Sequence, residues 1–191
     1  MKRGIAVTGL VAVLAFAAAG CSNGPEEDGG GAPKAGGVVL KKYPKAGDWD
    51  VAGTPMMYKS GDTGLDMYAE DKIIAQVRAN LLDTLLSNQY GHCDRDKAVD
   101  SKGRPKPDVR RVRVELWIFQ APYGAAKTFQ EWRRGQSIND VGEAAFAESD
   151  AVIFLRGAVV VRLVPLRWPP KTAGDATIQI GKAIDAWLQG K

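Results

Sequence analysis

Between residues 109 and 120 the apolar side chains fall on alternate positions: Val112, Val114, Leu116 and Ile118. A period of two places all four on one face of an extended strand. The other face then carries Arg111, Arg113, Glu115, Trp117 and Phe119. That second face starts charged and ends aromatic, which predicts a covering element over its far end. Downstream, residues 151–156 and 158–164 form two apolar runs that meet at Arg156-Gly157, a hairpin corner. Residues 144–148 read as one more short strand. Strands that follow one another without intervening helices pair antiparallel. Arg162, on an otherwise apolar strand, predicts an edge or rim position. Pro165, Pro169 and Pro170 are expected to end that strand and start a connector.

Three segments carry helical periodicity. In residues 71–90, Ile73, Val77, Leu81 and Leu85 recur every four positions, flanked by Ile74, Leu82 and Leu86. Arg78, Asn80, Asp83 and Asn88 mark the opposite side, and Gly91 is the expected stop. Ala121-Pro122 opens a second helix, with proline suited to its first turn. Ala125, Ala126, Phe129 and Trp132 form its stripe, and it ends by Gly135. Residues 175–189 give a final amphipathic helix through Ile180, Ala183, Ile184, Trp187 and Leu188. Residues 92–108 have no period, contain Gly103, Pro105 and Pro107, and read as a long exposed loop. Further strands are expected around Val38-Val39-Leu40 and Met56-Met57-Tyr58. The sum is an α+β domain: a single antiparallel sheet with helices packed mainly on one face.

The first forty residues carry an address. Met1-Lys2-Arg3 is a basic start, and residues 5–20 follow without a charge. This is the pattern of a secretory signal. The 16-residue apolar run is short of the roughly 20 residues that span a hydrocarbon core. Ala18-Ala19-Gly20-Cys21 resembles the lipobox of bacterial lipoproteins, departing from it in having Ala18 where that family prefers leucine. The resemblance implies cleavage before Cys21 and acylation of its sulfur. Two or three acyl chains on one residue hold a protein at a bilayer lastingly, where one binds marginally. Ser22 stands where enteric lipoproteins place the aspartate that signals inner-membrane retention, so the resemblance favours the periplasmic face of the outer membrane in a host that has one. Residues 22–37 hold no large apolar side chain and read as a flexible tether, with a reach on the order of 20–25 Å. The expected organisation is a signal peptide over residues 1–20, lipidated cysteine and tether over 21–37, and one globular domain over 38–191.

Charge narrows the partners. The chain holds 26 basic and 22 acidic residues, and Lys2 and Arg3 leave with the signal. That near balance, with an envelope address, argues against nucleic acid. With Cys21 lipidated, Cys93 stands alone of the two cysteines, so the fold rests on its hydrophobic core rather than an internal disulfide. Pairing of Cys93 with another chain is the alternative.

Recognisable chemistry is sparse. The single histidine, His92, adjoins Cys93 and Asp94. Three consecutive residues do not aim easily at one ion, and structural zinc takes four ligands at separated spacings. The expectation is a polar turn, with no metal and no cofactor. No G-x-S-x-G pattern occurs. Ser60-Gly61-Asp62-Thr63-Gly64 lacks the P-loop lysine and reads as a turn. Asp62, Asp66, Glu70 and Asp71 cluster before the first helix, where the macrodipole favours carboxylates. Arg104, Lys106, Arg110, Arg111 and Arg113 gather where the loop enters the strand. They form a solvated face, or a contact for anionic headgroups or an acidic partner. Trp117, Phe119, Phe129, Trp132 and Trp187 are core, or in part line a groove.

The segments Val114-Glu115-Leu116-Trp117-Ile118-Phe119 and Ala121-Pro122-Tyr123-Gly124-Ala125-Ala126 resemble a pattern in uncharacterised bacterial envelope lipoproteins. Val141-Gly142-Glu143-Ala144-Ala145-Phe146 and the hairpin at Gly157 continue it. The resemblance implies an α+β domain and nothing about catalysis, because the activity of that family is itself unknown. The expected function is a membrane-anchored, non-catalytic protein-binding or assembly-accessory module of the cell envelope. Its attachment is membrane lipid through Cys21, and Arg111, Arg113, Trp117, Phe119 and Trp132 are the candidate contacts. The second reading is a binding module for a small apolar or lipidic ligand beside Trp117, Phe119 and Trp132. An enzyme comes third.

Overall fold

The computed structural model describes residues 34–35, 38–39, 43–52, 54–92, 110–168 and 171–190. Two short strands, β1 (Lys34–Ala35) and β2 (Val38–Val39), pair with each other apart from the main sheet. The domain is α+β, built on one antiparallel sheet of eight strands. In chain order these are β3 (Trp49–Val51), β4 (Met56–Lys59), β5 (Leu82–His92), β6 (Arg111–Phe119), β7 (Gln136–Ile138), β8 (Ala144–Glu148), β9 (Ala151–Arg156) and β10 (Val159–Leu166). The helices are α1 (Thr63–Asp66), α2 (Asp71–Ala79), α3 (Pro122–Trp132) and α4 (Gly174–Leu188). In space, β3 and β4 share one side of β5, and β6, β10, β9, β8 and β7 follow in that order. After β6 the chain crosses through α3 to the far edge, then returns strand by strand until β10 pairs with β6.

Both faces of the sheet are covered. On one, α1, α2 and α3 bring Leu65, Ile74, Val77, Ala125 and Phe129 onto Leu85, Trp117, Phe119 and Val160. On the other, Ala176, Ile180 and Ile184 of α4 lie over Val114, Leu116, Val161 and Leu163. Tyr43 stacks on Trp187 of α4 at 5.5 Å, and the Tyr90 hydroxyl donates to the Pro44 carbonyl at 2.6 Å. These contacts draw the chain before β3 across the same face. The alternation in β6 therefore sorts its residues between two cores, as its period requires.

The long helix expected over residues 71–90 is corrected. The helix stops at Ala79, and β5 starts at Leu82. Between them Leu81 takes a left-handed backbone, φ 65°, while its side chain stays half exposed. β5 is buried on both faces for most of its length. Such a strand reads as a nearly continuous apolar run, which also satisfies a four-residue spacing. A left-handed leucine costs about 1–2 kcal/mol where glycine is free of that cost. Leu81→Gly should raise stability by about 1 kcal/mol, read as a higher midpoint in urea unfolding.

Gly91 is likewise corrected: it lies inside β5, not after a helix. A Cβ there would collide with the Arg111 guanidinium, so the missing side chain makes room for that arginine. Arg162 is not at an edge, because β10 lies between β6 and β9. Pro165 does not end β10 but pairs with Val112 of β6. The β9 partnership stops at Leu163, so the missing N–H of Pro165 breaks no ladder bond on that side. The other strand and helix expectations in residues 111–190 match closely in position, including the hairpin at Gly157, φ 55°. The loop expected over residues 92–108 lies outside the described residues, apart from His92 at the end of β5.

The hairpin is tied to α4 by one charged pair. Arg156 donates through Nε and Nη2 to the two carboxylate oxygens of Asp185, at 2.7 and 2.8 Å. Burial raises the Asp185 carboxyl, but the Arg156 fork, a backbone N–H of Gly142 and Gln189 outweigh it, so its pKa falls below the ordinary value. A depressed carboxylate contributes stability that is present above the unfolded-state pKa and lost as pH falls through the folded one. Between about pH 5 and pH 2 the wild-type melting temperature should fall more steeply than that of Asp185→Asn.

Candidate functional site

Register brings together residues far apart in sequence. Glu115 of β6 stands opposite Ser87 of β5 on one side and Arg162 of β10 on the other. These side chains share the face that carries Trp117, one row beyond the aromatic end covered by α2 and α3. Glu115 is fully buried. Its Oε1 lies 2.8 Å from Arg113 Nε, and its Oε2 lies 3.5 Å from Arg162 Nη1 and 3.2 Å from the Trp117 indole Nε1. The Tyr68 hydroxyl is 3.1 Å from Oε1 and 2.8 Å from Ser87 Oγ. A single phenolic proton given to the carboxylate leaves the tyrosine oxygen to accept from Ser87. Burial, and then the Glu115 charge, push the Tyr68 pKa up to about 12, so it serves as a donor and not as a base. The Arg113 guanidinium also sits over the Tyr68 ring, 5.8 Å from its centroid.

This arrangement holds charge at a boundary. The carboxylate is dry, while the Arg113 and Arg162 side chains keep 33% and 38% of their exposure. Two guanidinium groups share one carboxylate and carry the excess positive charge to the surface. Further arginines surround the same end of the β6–β10 pair. Arg111 is buried over Gly91, and its pKa is lowered by burial and then by repulsion from Arg167. Arg110 sits 5.2 Å above the Trp168 ring, whose Nε1 donates to the Arg111 carbonyl at 3.0 Å.

The candidate contacts from sequence divide accordingly. Arg113 is at the surface of this cluster, and Arg111 is buried against Gly91. Trp117 and Phe119 are in the core, at 1% and 0% exposure. Trp132 lies at the rim of that core, edge-on to Trp117 at 5.3 Å, and donates to Gln76 Oε1 at 3.2 Å. Gln76 and Asn80 in turn donate to Glu131 at 2.8 Å each, which locks α3 onto α2. A cavity of about 310 Å³ lies between α3 and β7–β8, beside Phe129, Arg133, Ser137 and Val141. A second, of about 190 Å³, lies beside Asp66, Asp71 and Arg78. Trp117, Phe119 and Trp132 line neither. Cys21, Cys93, Arg104 and Lys106 fall outside the described residues.

Glu115, Arg162, Tyr68 and Ser87 were not singled out as a site by the sequence. The available signal was a charge on each of two apolar strands, Glu115 and Arg162, whose pairing depends on a register that local periodicity does not give. Among the described residues no group of three or more His, Cys, Asp or Glu side chains could hold a metal ion. No described helix is long and apolar enough to cross a membrane. Set against protein-family models, curated proteins and solved structures, the chain matches none.

Proposed function

We propose that this chain is a membrane-anchored lipoprotein of the cell envelope, held by lipid on Cys21, whose globular domain is a non-catalytic protein-binding module. The observation that carries the binding role is the pair of partly exposed arginines, Arg113 and Arg162, fixed by the buried Glu115 carboxylate. A charged fork held in one orientation loses little freedom on meeting a partner, which favours recognition. The address is supported by the leader and lipobox pattern ending at Cys21. A small apolar ligand beside Trp117, Phe119 and Trp132 has less support, because the first two are packed inside the core and none of the three borders a described cavity.

Membrane fractionation joined to chemical crosslinking in intact host cells tests both halves. Wild type should stay with membranes through a high-salt wash, Cys21→Ser should be released, and one envelope protein should crosslink reproducibly. Retention of Cys21→Ser as firm as wild type would remove the anchor, and an empty crosslinking profile would remove the binding role.

A further inference from the structure

Resting on the protein-binding reading, we infer that Arg113 and Arg162 clamp an extended acidic segment of the partner, with carboxylates at alternate positions. Arg162 stands opposite Glu115, and Arg113 opposite Val164, so the two arginines are diagonal neighbours across β6 and β10. Diagonal positions of an antiparallel pair lie about 7–8 Å apart. In an extended chain, residues i and i+2 project to the same side about 6.5–7 Å apart. Two carboxylates spaced Glu-x-Glu on a partner strand therefore match the spacing of the two arginine positions along the sheet. Adjacent carboxylates project to opposite sides and match only one.

The donors for such a contact are present. A guanidinium carries five N–H donors. Among the described residues, Glu115 is the one carboxylate paired with either arginine, through Nε of Arg113 and Nη1 of Arg162. Their remaining N–H groups suit bidentate recognition of carboxylate. A protein segment is favoured over a bilayer surface because these two forks are both tied to one buried carboxylate. Headgroup binding, by contrast, draws on many mobile cations spread over a wide patch.

The test uses the full lipidated chain in neutral detergent and fluorescence anisotropy with two labelled octapeptides of equal charge. One alternates glutamate and alanine; the other is four glutamates followed by four alanines. Short-chain phosphatidylglycerol, dissolved below its micelle concentration, is the third probe. The alternating peptide should bind about fivefold or more tighter than the block peptide, and rising salt should weaken it. Arg113→Gln and Arg162→Gln should each weaken it about tenfold, Arg162→Lys by less, and Lys182→Gln on the opposite face not at all. Arg162→Lys keeps the charge and loses the fork, so it preserves the test if a glutamine variant fails to fold. Equal binding of the two peptides, binding of neither, or arginine-dependent binding of the lipid alone would overturn the clamp. If the peptides fail while the crosslinked partner persists in cells, the clamp falls and the binding module stands.

Discussion

Trp117→Ala is expected to lower the unfolding free energy by about 3–5 kcal/mol, the range for removing a large buried aromatic side chain. Trp117 is 1% exposed and sits where β5, β6 and β10 meet the underside of α3. Its ring meets Trp132 edge-on at 5.3 Å and Tyr68 at 6.2 Å, two contacts beyond simple burial. Its indole N–H also supports Glu115. Truncation thus opens a cavity and takes a donor from the buried carboxylate. Equilibrium urea unfolding followed by far-ultraviolet circular dichroism reads the loss. A cost under about 1 kcal/mol would show that the site has collapsed around the gap or that the packing differs from that described.

Glu115→Gln is expected to cost about 2–3 kcal/mol and to free both arginines. Removing one partner of a fully buried ion pair costs about 3–5 kcal/mol, because the other charge is left dry. Here Arg113 and Arg162 reach solvent and recover part of that loss, which places the estimate lower. The amide retains the shape and one acceptor, so the variant should fold. The same unfolding assay gives the stability. Arginine side-chain Nε–H signals in NMR should narrow and move toward random-coil positions as the guanidinium groups lose their carboxylate. Unchanged signals with unchanged stability would mean that Glu115 does not organise the cluster.

The parts of this fold that were legible in sequence are amphipathic elements. β8, β9, β10 and α4 each present one apolar side or meet a turn residue at a fixed place, such as Gly157. The charged-to-aromatic gradient along β6 also foretold the cover that α2 and α3 provide over Trp117 and Phe119. β5 was not legible, because a strand buried on both faces loses the alternation that distinguishes it from a helix. Its boundary with α2 depends on Leu81, a residue type that does not advertise a left-handed turn. A charge on an otherwise apolar strand predicts an edge or rim position for Arg162, because inside a sheet it needs a partner, and that partner is 47 residues away. The candidate site was half visible for the same reason. Arg113 stood out within its own strand, whereas its relation to Glu115, Tyr68 and Arg162 follows from pairing between strands.

The most direct test of the binding role is site-specific photocrosslinking in intact host cells, with the photoreactive residue at Gln89 or at Lys182. Gln89 pairs with Arg113 across β5 and β6, beside the arginine pair. Lys182 is exposed on α4, which covers the opposite face of the sheet. A module that docks its partner at the arginine pair predicts one reproducible envelope protein captured at Gln89, none at Lys182, and loss of capture when Arg113 and Arg162 are both glutamine. No adduct at Gln89, or the same adducts from both positions, would contradict it.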